Sequence, residues 1–421
     1  MYRYALLLAV PFLVGIAVLK GLTVEIDTFH GSDARVFQLP TILQFRHSLD
    51  FSDYPSAQTP LFHLLMAGWG KLVGFELWRL RLLNVVISYG ATLALLRLLR
   101  RATTLDELSA FALTLAFALS PFFFGASFTL LTDNLAILFA LLALERVHAY
   151  SRDGSPGAFA LACLWIGGAV LTRQSFLWLV PVAAFFLVRR PWPIARVAAG
   201  AALLALALAP LAALTVEWNG LVPPSADPAS CGLCTDRPGV GRDALTLRAV
   251  GFTIAALGLY AAIVLGPSAV RRLRALPRVP AEAAALGAAL GVALVLVEPL
   301  EYIPIAPGQL GDAGYLWRVS ERFPTLLGSS LVFWVLVPLG CAAVALLARR
   351  AGWTSLPTVY LGAFLLAVLP VRLVYQKYFD PFMLIAVTLY ARPPDFGRRS
   401  DYAGIALVCL GSVAYALSFA G

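Results

Sequence analysis

Long apolar runs, broken by short polar stretches that carry most of the arginines, organise this chain from end to end. A run that crosses a hydrocarbon core of about 30 Å needs roughly 17 to 25 residues, and fewer if the helix is buried in protein. Runs of that order predict helices over 4–22, 80–98, 108–124, 128–147, 157–172, 174–188, 194–214, 247–265, 281–299, 327–347, 354–371, 379–391 and 402–419. The stretches 108–147 and 157–188 are nearly continuous, which predicts tight hairpins turning at "SPFFFGAS" and at "LTRQS". The first run, "YALLLAVPFLVGIAVL", follows a single Arg3 and shows no small-x-small cleavage site, so it reads as a retained helix.

Charge alternates with these runs. Starting inside at Arg3, every second connection is basic: "RLLRR" (97–101), "ERVHAYSRD" (145–153), "RRPWPIAR" (189–196), "RRLRALPR" (271–278), "ARR" (348–350) and "ARPPDFGRRSD" (391–401). The positive-inside rule makes these the cytoplasmic loops. The other connections, 23–79, 121–127, around 173, 215–246, 300–326 and 371–378, are then outer, and several are longer and chemically more varied. Function is expected on that side, periplasmic or extracellular in a prokaryote and luminal in a eukaryote. The segment 23–79 is too long for a connector. It holds "SDARVFQLPTILQFRH" and "PLFHLLMAGWGKLVGF", the second with Pro60 where a first-turn proline is favoured, and predicts two interfacial helices.

Composition agrees. Of 421 residues, 60% are hydrophobic and 13% charged, with a mean hydropathy of +0.82, as expected of a polytopic membrane protein folded as a single membrane-embedded domain. The net charge of +9 is spread between spans, which fits topology control and not a nucleic-acid-binding face. Cys163, Cys341 and Cys409 lie in apolar runs and read as packing residues. Cys231 and Cys234, in "PASCGLCTDRPG", read as a loop-bracing disulfide in an oxidising compartment, with a redox-active pair as the alternative.

Ionisable side chains at membrane depth are expensive, so each is a functional candidate. Asp133, Arg173, Glu298, Glu301, Arg372 and Lys377 are all predicted near the outer surface, the surface where Glu25 and Asp27 emerge from the first helix. They act on a ligand, or they pair with each other and snorkel. A carboxylate at Asp27 or Glu25 suits a general base, or caps the following short helix. The histidines, His30 among them, show no metal-ligand spacing, and there is no phosphate loop, nucleophile elbow or zinc motif.

Several stretches, in order over most of the chain, resemble the membrane glycosyltransferases of GT-C type, and in particular the α-1,2-glucosyltransferases that add the terminal glucose to dolichol-linked oligosaccharide. The stretches are "DTFHGSDAR", "SAQTPLFHLL", "RLRLLNVV", "LSPFFFGASFTLLTDNLAIL", "LTRQSFLW", "EWNGLVPP" and "RLVYQKYFDP". The family's Asp-Glu pair is broken here, falling on Ile26 and Asp27 when His30 is aligned, and its Gly-Asp-Lys after Asn-Gly is missing. The resemblance implies an all-α, GT-C-like bundle of about 11–13 transmembrane helices. It implies inverting transfer of a hexose, glucose by the resemblance, from a polyprenyl-phosphate or dolichyl-phosphate donor to a lipid-linked glycan or other hydroxyl acceptor. A divalent cation is left open and no metal ligand is assigned. Asp27, with Glu25 as rival, would be the base. His30, Asp133, Arg173, Gln174, Arg318, Arg322, Arg372 and Lys377 would bind substrate, the cations holding the phosphate. Trp69, Trp218 and Trp317 would stack on sugars or form an interfacial belt. A transporter or flippase of lipid-linked sugars is the alternative, and it would call for paired broken helices in two related halves, which the sequence does not show.

Overall fold

The structure, a computed structural model, describes residues 2–23, 33–226, 245–268, 278–303, 312–371 and 374–417. Among these the chain is almost entirely helical: α1 (Tyr2–Val18), α2 (Leu39–His47), α3 (Leu61–Val73), α4 (Leu77–Ala102), α5 (Glu107–Ala118), α6 (Pro121–Ser127), α7 (Asp133–Asp153), α8 (Pro156–Thr172), α9 (Leu179–Val188) and α10 (Ile194–Glu217). There follow α11 (Arg248–Tyr260), α12 (Arg278–Val297), α13 (Tyr315–Ser320), a hairpin of β1 (Thr325–Leu326) and β2 (Ser329–Ser330), α14 (Leu331–Ala351), α15 (Leu356–Ala367), α16 (Asp380–Tyr390) and α17 (Ala403–Leu417).

Every apolar run picked out above contains helix, and helices also form at both places expected in the first outer segment. Four of the described helices are long and apolar enough to cross a membrane: α4, α10, Arg248–Ser268 and α14. Six more apolar helices are shorter, namely α1, α3, α8, Gln174–Val188, Ala281–Val297 and α15. Two boundaries differ from expectation. "SPFFFGAS" is not the hairpin turn. Ser120 is extended (ψ 138°), as the residue before a proline prefers, and Pro121 then opens α6, so the turn falls at 128–132. The run at 327 does not open as helix either. Leu327 and Gly328 both have positive φ (49° and 80°) and join β1 to β2, the backbone of a tight two-residue hairpin, so α14 starts at Leu331.

The chain divides into two compact units, the first of residues 1–102, 118–232 and 412–421, the second of 103–117 and 233–411. In the first, α4 is the central helix. Tyr89 on it donates to the Ala5 carbonyl of α1 (2.9 Å), and α7 and α8 pack against each other as a hairpin. Ser155 caps α8 by accepting from the Ala158 amide, with Pro156 at the first position. A buried cluster of Ile42, Phe45, Tyr54, Phe62, Met66 and Trp218 seats α2 and α3 against the rest.

In the second unit α11, α12 and α14 pack closely. Apolar attraction drives little association where lipid surrounds the helices, so close backbone approach matters more. A Cβ on Gly340 would lie 2.1 Å from the Ile254 carbonyl oxygen, and one on Gly258 would lie 2.5 Å from that of Leu336. Above this seam Trp317 stacks on Phe252 at 5.0 Å and meets Phe333 edge-on.

Candidate functional site

In the first unit two buried asparagines set the site's scaffold. Asn84 Nδ2 donates to the carbonyls of Ala126 (2.8 Å) and Thr129 (2.6 Å), and Asn134 Nδ2 donates to Ser88 Oγ (2.8 Å), Phe123 O (3.1 Å) and Ser127 Oγ (3.1 Å). These bonds add strong donors to carbonyls at the end of α6, where the helix's own amides run out. They thereby fix the 128–132 turn that delivers Thr132 and Asp133 to the start of α7.

Asp133 is the first residue of α7, where the helix dipole favours a carboxylate. Arg173, extended after α8 ends, pairs with it at 2.9 Å and donates to Thr132 Oγ1 at 3.2 Å. The arginine is 7% exposed. Gln174 follows, with Nε2 donating to the carbonyls of Ala57 (2.7 Å) and Leu221 (3.2 Å). Its Oε1 is buried and accepts no hydrogen bond among the described residues. Of the expected site residues Asp133 and Arg173 therefore come together, with Arg173 already held by its carboxylate, while the next residue, Gln174, is bonded to Ala57 and Leu221.

Glu25, Asp27, His30 and Arg372 lie outside the described residues, as do Cys231 and Cys234. The approach to the first three is described. Lys20, Gly21 and Leu22 all have positive φ (48°, 69° and 69°), which ends α1 abruptly. Arg81, buried on α4, donates to the Leu22 carbonyl at 2.9 Å. Arg81 and Asn84 both stand in "RLRLLNVV", and neither is among the site residues expected from the sequence. Their signal was two polar residues three apart in an apolar helix.

In the second unit Asp312, fully buried, takes a two-pronged ion pair from Arg248 and accepts from the amides of Ile303 (2.8 Å) and Val374 (2.9 Å). Asp380, also fully buried, accepts from Tyr260 (2.5 Å), Tyr315 (2.8 Å) and Gln376 (2.9 Å). The segment 374–380 is thus tied at both ends, and Lys377 lies between the ties with its ammonium 5.1 Å from the Tyr378 ring centre. Neither aspartate was singled out from the sequence, although "YFDP" holds one of them. Arg318 and Arg322 are exposed.

Three expectations change. Glu298 caps α11, accepting from the Thr246 hydroxyl and the Leu247 amide, which is a structural task. Glu301 contributes its backbone carbonyl to Arg248. Trp317 and Trp218 are core residues, bonded through Nε1 to the carbonyls of Val374 and Phe51, so neither presents a face to a sugar, and Trp69 Nε1 is bonded to the Arg79 carbonyl. Cys163, Cys341 and Cys409 are free thiols, as read. No three His, Cys, Asp or Glu side chains converge as metal ligands among the described residues.

Residues 57–216 match the profile of the dolichyl-phosphate-mannose-protein mannosyltransferase family. That stretch is under half of the chain, and it contains Asn84, Asp133, Arg173 and Gln174. The match supports a membrane glycosyltransferase. Among solved structures the chain is similar to ArnT from Cupriavidus metallidurans in the apo state, at 15% identity and a TM-score of 0.43, over 97% of this chain and 78% of that one. It is similar to the same protein bound to undecaprenyl phosphate at 14% identity and a TM-score of 0.42, over 99% and 79%. An oligosaccharyltransferase from Archaeoglobus fulgidus follows at 13% identity and a TM-score of 0.33, over 93% and 57%. No curated protein matches the chain.

Proposed function

We propose that this protein is an inverting hexosyltransferase that takes its sugar from a polyprenyl-phosphate carrier and works at the outer membrane face. The observation that carries the reading is that the paired Asp133 and Arg173, with Gln174 next in sequence, fall inside the stretch that matches the dolichyl-phosphate-mannose-protein mannosyltransferase family. A guanidinium offers five N–H donors in a planar fork, matched to phosphate oxygens, and Asp133 fixes the orientation of this one. Gln174 Oε1, a buried acceptor, suits a sugar hydroxyl.

The proposed step is a displacement at the anomeric carbon. Asp27 takes the proton of the acceptor hydroxyl, the acceptor oxygen bonds to the anomeric carbon, and the bond to the phosphate oxygen breaks with inversion. The departing lipid phosphate keeps the electron pair and needs charge stabilisation more than a proton. Arg173 supplies it in the first unit. Arg372, Lys377, Arg318 and Arg322 are proposed separately, from their charge and the motif resemblance, as substrate-binding cations of the second unit. Glucose as the sugar, and a lipid-linked glycan as acceptor, rest on the motif resemblance alone.

The test is transfer of radiolabelled glucose from polyprenyl-phosphate glucose by purified protein, compared with the Asp27→Asn and Glu25→Gln variants. Loss of about two to four orders of magnitude in kcat is expected for Asp27→Asn alone. Turnover unchanged in that variant would remove Asp27 as base. Lipid translocation in liposomes without any sugar transfer would replace the enzyme by a transporter.

A further inference from the structure

A concave site lies at the other end of α7 from Asp133. A cavity of about 650 Å³ opens between the end of α7 and the connection from α9 to α10, lined among others by Arg152, Asp153, Phe186, Arg189 and Arg190. Its frame is built firmly. Gly154 ends α7 with φ +67°, and a Cβ there would meet the Trp192 ring at 2.5 Å, so this position admits only glycine while Trp192 stays in place. Arg196 lies over that indole at 3.7 Å from the ring centre. Arg190 Nη2 donates to the carbonyls of Ser151 (2.5 Å) and Arg152 (3.0 Å), closing the bare end of α7. The Arg189 guanidinium sits 5.9 Å from the Phe186 ring centre.

Three arginines against Asp153 leave the cavity with two net positive charges. Close by, Arg97, Arg101 and Arg146 surround buried Glu145, so the wider surface is basic as well. Apolar side chains flank the charges: Val188 is 61% exposed and Ile194 87%, and the long face of α10 continues them with Leu206. An anion with no apolar part would have no use for that flank.

We propose that this cavity binds the phosphodiester headgroup of an anionic membrane phospholipid, with the acyl chains lying along the exposed apolar face of α10. Two net charges fit a doubly anionic headgroup such as cardiolipin best. The arginine-rich loops place the site in the cytoplasmic leaflet, away from the outer surface proposed for sugar transfer, and basic pockets at helix ends on that side suit such headgroups.

The experiment is native mass spectrometry of the full-length protein in detergent, titrated with cardiolipin, with phosphatidylcholine, and with inorganic phosphate. The variants are Arg152→Gln/Arg189→Gln, which spares the helix-capping Arg190, and Arg3→Gln/Arg349→Gln, which removes the same charge elsewhere. Cardiolipin adducts are expected on the wild type and on the second variant, with roughly thirtyfold weaker binding in the first. Circular dichroism and monodispersity check that the first variant folds. If it does not, Arg189→Lys replaces it, and weaker cardiolipin binding by that variant alone is then expected. Equal cardiolipin binding by all variants would overturn the site. Phosphate competing as well as cardiolipin, or phosphatidylcholine binding equally, would overturn its assignment to an anionic lipid.

Discussion

His63 shows what one buried polar side chain asks of its surroundings. It sits fully buried on α3, with Nε2 donating to Gln38 Oε1 at 2.6 Å, among the rings of Phe45, Tyr54 and Phe62. Burial pulls the ring's pKa down from 6.5 to about 3, because a charged imidazole there would lose its hydration. The unfolded chain then binds a proton that the folded chain refuses. Stability from this residue is full above about pH 6.5 and is lost as pH falls from there toward 3. Thermal melts of the detergent-solubilised protein at pH 7.5 and 4.5 should therefore show a fall in Tm that is smaller in His63→Gln. At the same scale, the sequence showed Asp133 and Arg173 as costly residues in apolar surroundings, and they do pair. It did not show Asp312 or Asp380, because the partners that hold each one include residues 60 or more positions away, such as Arg248 and Tyr260.

Helices are legible from apolar runs because each must satisfy its own backbone, whatever it packs against. Their ends are less so. The break before α6 is set by Pro121 acting on Ser120, and the turn after it by Asn84, which reaches across from α4 to carbonyls more than 40 residues away. How closely helices pack is a pairwise property that one sequence does not spell out. The seam between α11 and α14 is the clearest case. Gly340→Ala would put a methyl group against a backbone carbonyl, which cannot swing aside, so the two helices must separate. A loss of about 1–3 kcal/mol is expected, read as a lower Tm with unchanged helix content by circular dichroism. Gly362, whose added Cβ would meet nothing within 4 Å, is the matched control and should tolerate alanine.

At the scale of the whole molecule, the alternation of basic and varied connections is expected to orient the chain, and arginines of those basic connections are also used in the folded state. Arg190 donates to two carbonyls at the end of α7, and Arg350 joins Asp395 and the Tyr390 carbonyl. These residues serve at two moments. During insertion only their charge counts, since it keeps a loop from crossing, while afterwards their planar geometry closes a helix end. Lysine separates the two duties, because an ammonium keeps the charge but cannot reproduce the guanidinium's fork. Arg190→Lys should insert with the same orientation, judged by cysteine accessibility from either side, yet melt earlier by about 1 kcal/mol of stability. A chain of this kind would then drift in sequence unevenly: positions that only steer insertion can exchange Arg for Lys without cost, whereas positions that also close a helix cannot.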